Sequence, residues 1–189
     1  MRGRVTFALI GVIVAVFVMQ QLVDLDRFAF TPATALKEPW TFVTSIFLHA
    51  DINHIFFNMF ALFIFGTFLE GMVNDKTYLL IFFLAGIFGS LGYMVTAFDS
   101  GIPAIGASGA IYGIIGAVAA IRPSAVVYVG FAPMPMAIAA VMYTLIELLG
   151  LFAPSSIAHG AHLFGLIFGV AFGLYMRRQI SKPRFIWEN

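Results

Sequence analysis

The stretch IPAIGASGAIYG, residues 102–113, lies between two strongly apolar segments. It holds three glycines, three alanines and one serine, with a tyrosine four residues after the serine. Two readings compete. The small residues can form a surface on which two helices approach closely, or Ser108 can carry chemistry. A lone serine in a membrane helix ordinarily hydrogen-bonds its own helix or a neighbour. The choice therefore depends on what the rest of the chain delivers to the same place.

The 189-residue chain is 61% hydrophobic and 10% charged, whereas about a quarter of a soluble domain is charged. So few charges cannot cover a water-facing surface, and the bilayer is the expected solvent. A net charge of +1 gives no basic patch for nucleic acid. The absence of cysteine removes disulfides, thiol catalysis and thiolate metal sites. With no charged tail or low-complexity run, residues 1–189 read as one membrane domain.

A spanning helix needs about 20 mostly apolar residues. Six segments qualify or come close: Val5–Val23, Ile52–Met72, Tyr78–Ala97, Ala107–Ile121, Pro133–Phe152 and Ile157–Met176. The expected fold class is therefore an all-α membrane bundle of six helices. The fourth segment is short, so the turn before it must lie at membrane depth or close to its edge. The first follows MRGR but is too long for a signal-peptide core and has no small-residue cleavage site, so it reads as a retained anchor. With six spans, Arg2, Arg4, Lys76, Arg122, Arg177, Arg178, Lys182 and Arg184 fall on the side of the termini, and only Arg27 and Lys37 on the other. That asymmetry puts both termini in the cytoplasm, with residues 24–51 and the start of the fourth span facing outward. The aromatic residues of that loop, among them Trp40, suit the membrane interface.

Polar residues within spans are costly and mark candidate sites. The four histidines fall in two groups, HADINHIFFN with His49, His54 and Asn58, and AHGAHLFG with His159 and His162. His54 and Asn58 are four apart and share a helix face. The second, fourth and sixth spans all begin outside, so topology alone brings His54, Asn58, Ser108 and His162 to a similar depth. His49 and His159 are expected to be solvated interfacial histidines. No carboxylate joins the histidines at helical spacing and HExxH is absent, so no metal is expected. Gly109, Gly113 and Gly116 on the fourth span and Gly165, Gly169 and Gly173 on the sixth form two small-residue faces suited to close packing. If those faces meet, Ser108 and His162 meet at the top of the contact.

Taken together, HADINHIFFN, GASGAIYG and GAHLFGLIFG resemble the motifs of the rhomboid family of intramembrane serine proteases, in order and on the right spans. Glu70 also stands where that family tends to have a glutamate. One departure is Trp40-Thr41, where many relatives have a Trp-Arg pair. The resemblance implies a minimal six-helix core and a Ser-His dyad, with Ser108 as nucleophile and His162 as general base. No aspartate is placed to be a third member. Tyr112, one turn below Ser108, is suited to support the His162 ring. The backbone N–H of Ser108, at a helix N-terminus, is a candidate oxyanion donor. In the family the positions matching His54 and Asn58 serve the same role. Gly106 and Gly109 allow close backbone approach.

The resemblance further implies transmembrane protein segments as substrates, reaching the site sideways from the lipid bilayer past the fifth span and the APSSIA loop. No cofactor is needed and no nucleic-acid partner is expected. An outward-open aqueous cavity above Ser108 is expected, lined partly by His49 and His159. Glu147 near the outer end of the fifth span either faces this cavity or reaches for the surface. The expected location is a prokaryotic plasma membrane. The alternative is a non-catalytic relative that binds transmembrane helices. A small transporter would show duplicated halves, and none are seen.

Overall fold

A computed structural model describes residues 3–180 apart from 99, 154 and 156. Arg2, Lys182 and Arg184 of the charge asymmetry, and Pro154 and Ser156 of the APSSIA loop, lie outside the described residues. Three helices are long and apolar enough to cross a membrane: α2 (Ile52–Glu70), α3 (Asp75–Thr96), and α6 (His159–Ile180) over residues His159–Arg178. Three shorter apolar helices accompany them, α1 (Arg4–Gln20), α4 (Ser108–Ile121) and α5 (Met136–Gly150).

The all-α expectation needs one correction. An antiparallel hairpin of β1 (Val126–Val129) and β2 (Ala132–Pro135) joins α4 to α5. Val126, Val127 and Val129 favour extended backbone, and Gly130, at φ +62°, supplies the left-handed conformation in the two-residue turn. The hairpin takes Pro133–Pro135 out of the expected fifth span, whose helix begins at Met136.

Helix ends explain much of the connectivity. Asp51 caps α2 by accepting the His54 N–H at 2.8 Å, and Asn74 caps α3 by accepting that of Thr77 at 2.9 Å. Glu70, at the far end of α2, caps a different helix. Its carboxylate accepts the N–H groups of Val5 and Thr6 at 3.0 and 2.9 Å and the Thr6 hydroxyl at 2.7 Å. These are first-turn amides of α1 with no intrahelical acceptor, so the glutamate ties the two helices at one end of the molecule. Between its ends α2 widens into a π-helical segment, Leu62–Gly66, a feature that often accompanies functional sites.

At the centre lies α4. Every residue from Gly109 to Ala120 except Tyr112 is buried. It packs against α6 through the two glycine faces, as expected. A Cβ at Gly165 would run into the Gly109 carbonyl oxygen, and one at Gly169 into that of Gly113. Helix α3 joins the same contact, since a Cβ at Gly89 would lie 3.0 Å from the Ala161 carbonyl oxygen. Backbone therefore meets backbone along α3, α4 and α6, and dispersion between main chains replaces side-chain interdigitation.

This packing predicts opposite outcomes for two substitutions of the same kind. Gly169→Ala forces α4 and α6 apart and lowers stability by about 2–3 kcal/mol. Gly11→Ala, in the interior of α1 with nothing within 4 Å of the new methyl group, raises it by about 0.5–1 kcal/mol, because alanine loses less backbone entropy in a helix than glycine. Thermal unfolding of both variants in detergent distinguishes the two.

Candidate active site

The segment before α4 runs as irregular backbone and is stitched to the long loop that follows α1. Phe30 and Ala104 exchange backbone hydrogen bonds of 3.2 and 2.7 Å, and the Gly106 N–H donates to the Ser45 carbonyl at 2.9 Å. Gly106 sits at φ +122°, and a Cβ there would lie 2.7 Å from His54 Nε2. Only glycine serves both demands. The loop has its own brace. Trp40 Nε1 donates to the Arg27 carbonyl at 3.2 Å, and the Arg27 guanidinium lies 6.0 Å from the Trp40 ring centre. Thr41, the neighbour of Trp40, is buried and donates its hydroxyl to the Glu38 carbonyl at 2.7 Å.

Ser108 is the first residue of α4, and its backbone N–H makes no hydrogen bond among the described residues. Its Oγ lies 2.7 Å from Nε2 of His162 on α6. Tyr112, one turn along α4, stacks on the His162 ring at 4.4 Å between centroids with only 6° between planes. The backbone contact of α4 with α6 thus sets both the approach of the serine and the plane of the imidazole.

His54 accepts the Ala50 N–H on Nδ1 at 3.3 Å. That assigns the ring proton to Nε2, which faces Gly106 and so stands as a donor beside the start of α4. Asn58 is buried, and its side-chain N–H donates to the His54 carbonyl at 2.9 Å while its carbonyl oxygen has no partner. Asn58 and Ser108 line one cavity of about 210 Å³, together with Phe57 and Phe65 of α2, Tyr112, and Tyr143 of α5. The four residues expected at one depth are therefore neighbours.

Two expectations are corrected. His49 is not solvated: it is 1% exposed, its backbone N–H donates to Gln20 at 3.0 Å, and its Nε2 makes a long contact of 3.5 Å with the Ala107 N–H. Burial first, and the neighbouring His54 second, push its pKa down to about 4, although the Phe47 backbone carbonyl works the other way. His159 is not solvated either. Its side chain is 12% exposed, and Nδ1 lies 2.6 Å from Oε2 of Glu147.

Glu147 is the residue that sequence reasoning left open. It faces inward at 3% exposure. Its Oε1 accepts the Tyr112 hydroxyl at 2.5 Å and stands 3.1 Å from His162 Nδ1. No spacing rule could have found this contact, because Glu147 and His162 lie on different helices. The donor atoms of Glu147, His159 and His162 fall within 4.8 Å of one another. They are already engaged with each other, with Tyr112 and with Ser108, which is the pattern of a hydrogen-bonded charge network.

The chain matches the family model of the Rhomboid domain over residues 36–179. It is 36% identical to the Rhomboid protease GluP of Bacillus subtilis over 140 residues, covering 71% of this chain and 25% of that protein. It is 30% identical to the mitochondrial Rhomboid protein 1 of Saccharomyces cerevisiae over 194 residues, covering 96% of this chain and 56% of that one. A third relative, at 36% identity over 44% of this chain and 23% of its own length, is the Inactive RHOMBOID-like protein 8 of Arabidopsis thaliana. The chain thus spans from 23% to 56% of the length of these relatives.

Because His49 is held neutral while the unfolded chain takes up a proton near pH 6.5, the unfolded state binds more protons between those limits. The stability contributed by burying the neutral ring is fully present above pH 6.5 and is lost as pH falls toward 4. The melting temperature is expected to drop over that window, and less steeply in His49→Asn. Gly106→Ala is expected to cost stability at every pH, and thermal scans of both variants across the window check the two effects.

Proposed function

Since the chain belongs to the rhomboid family, we propose that it is an intramembrane serine protease in which Ser108 is the nucleophile and His162 the general base. The observation that carries this reading is the 2.7 Å pairing of His162 Nε2 with Ser108 Oγ. A serine hydroxyl is a weak nucleophile until an adjacent base takes its proton. His162 takes that proton as Oγ attacks the peptide carbonyl, then returns it to the leaving amine. The developing oxyanion is met by the unpaired Ser108 N–H, by Nε2–H of His54 and by the second N–H of the Asn58 amide, each worth about 3 kcal/mol in a preorganised site.

The substrate is a transmembrane protein segment. The cavity beside Ser108 lies between α2, α4 and α5, and its Phe57, Phe65 and Tyr143 suit an apolar side chain next to the scissile bond. Helix α5 leaves Ile138, Val141, Leu145 and Leu149 exposed along its length, a face that a substrate helix can meet from lipid. Water has its own place. A cavity of about 30 Å³ behind Ser108 is bordered by Ser45, Ser90 and Tyr93, room enough for one water with several polar partners. In this reading residues 1–189 act as one unit whose six apolar segments all cross the bilayer. Both termini face the cytoplasm of a prokaryotic cell and the site opens outward. The non-catalytic alternative, suggested by the inactive plant relative, is disfavoured by the retained serine and histidine at hydrogen-bond distance.

A serine-reactive fluorophosphonate is expected to label the purified protein at Ser108 and to leave Ser108→Ala unlabelled. Cleavage of a model transmembrane substrate in liposomes is expected to fall at least 1,000-fold in His162→Ala. Unchanged labelling of Ser108→Ala, or full cleavage by His162→Ala, refutes the assignment.

A further inference from the structure

We infer that Glu147 is a positioning residue for His162, an acidic third member from α5 that supports the Ser108–His162 pair. The inference rests on the protease reading above. It goes beyond a dyad oriented by packing alone, because it assigns an electrostatic role to a carboxylate that no sequence motif marks.

The geometry is specific. Ser108 Oγ lies 2.7 Å from one ring nitrogen of His162, and Glu147 Oε1 lies 3.1 Å from the other. The carboxylate therefore stands on the side of the imidazole opposite the nucleophile. It favours a proton on Nδ1, which leaves the Nε2 lone pair free to receive the serine proton. The Nδ1–H is not lined up on Oε1 for a full hydrogen bond. The neutral ring consequently gains little from Glu147, whereas an imidazolium formed as Ser108 attacks gains the attraction of a buried charge. An interaction that strengthens only as the transition state develops raises the rate without tightening substrate binding.

The surroundings hold the carboxylate for this task. Tyr112 donates its hydroxyl to Oε1 at 2.5 Å and at the same time stacks on His162. His159 Nδ1 lies 2.6 Å from Oε2, and its Nε2 lies 3.2 Å from the Ser155 hydroxyl. One tyrosine thus fixes both the plane of the ring and the position of the acid. The two outside partners also anchor Glu147, so it does not need His162 to stay in place. A carboxylate buried merely for structure would have its partners on Tyr112 and His159 alone, and would have no reason to face the base.

Glu147→Gln isolates the charge. The amide carbonyl can still accept from Tyr112, and its NH₂ can face His159, whose neutral ring can change tautomer against the Ser155 hydroxyl. The expected result, with purified protein and a model transmembrane substrate in liposomes, is a kcat lower by about 10- to 1,000-fold. KM should stay within twofold and the melting temperature should not change. A kcat within threefold of the parent overturns the inference. So does a loss carried by KM, or by destabilisation of a variant whose kcat per folded molecule is normal. If Glu147→Gln does not fold, Glu147→Asp reads the same quantity, because it keeps the charge and draws it back by one methylene. A lower kcat at unchanged KM supports the inference, and an unchanged kcat overturns it. Fluorophosphonate labelling of the unmutated protein separates the two levels. A parent that labels at Ser108 while Glu147→Gln reacts equally fast refutes only the role of Glu147. A parent that neither labels nor cleaves refutes the protease reading and this inference with it.

Discussion

The contact of α4 with α6, main chain against main chain, is the constraint on which the rest of the structure depends. Gly165 faces the Gly109 carbonyl and Gly169 that of Gly113, with no room for a methyl group at either position. In lipid there is little hydrophobic gain from bringing two helices together, so association relies on close packing. Closeness at this contact is also what puts Ser108 Oγ within 2.7 Å of His162. A bundle held by large interdigitating side chains would set its backbones further apart and leave the two groups out of reach. The stability of the bundle and the pairing of Ser108 with His162 thus share a single geometric requirement.

Around that axis the remaining elements act on the site through polar contacts of particular residues. The loop before α4 is held by backbone bonds to Phe30 and Ser45 and by the ring of His49. His54 closes over Gly106 because that residue has no side chain. From the other flank α5 contributes Glu147, whose two oxygens are shared among Tyr112, His159 and His162. A buried carboxylate without such partners would be strongly destabilising. Here its neighbours are the groups around Ser108 and His162, and their polar contacts offset the cost of burying the charge.

The two ends of the molecule differ in how they are tied. At the end of α1 that carries Arg4, Glu70 caps a helix start belonging to another element, and Arg4 pairs with Asp75. At the other end, Asn58, Ser108, Tyr112 and Tyr143 line a cavity between helices, and the segment before α4 is irregular backbone. The first arrangement is rigid because it satisfies amides that would otherwise be unpaired. The second leaves the Ser108 N–H without a hydrogen-bond partner among the described residues.

Much of this was legible in the chain itself. Composition and apolar run length indicated a membrane protein. Glycine spacing identified the faces by which α4 and α6 meet, and chain direction brought His54, Asn58, Ser108 and His162 to one level, because these are periodic or topological properties. Other features were not legible. The hairpin before α5 pairs Val126–Val129, which lie between the expected spans, with Ala132–Pro135, most of which hydropathy alone merged with the following span. The burial of His49 and His159 depends on what other segments place beside them, and solvation cannot be read from a residue type. Glu147 lies 15 residues before His162 on a separate helix, and only the crossing of α5 with α4 and α6 decides that its carboxylate turns toward the His162 ring. Sequence by itself determined which groups share a depth. Tertiary structure decided which of them touch, because contact between helices depends on rotation about each helix axis, and that rotation is set by packing.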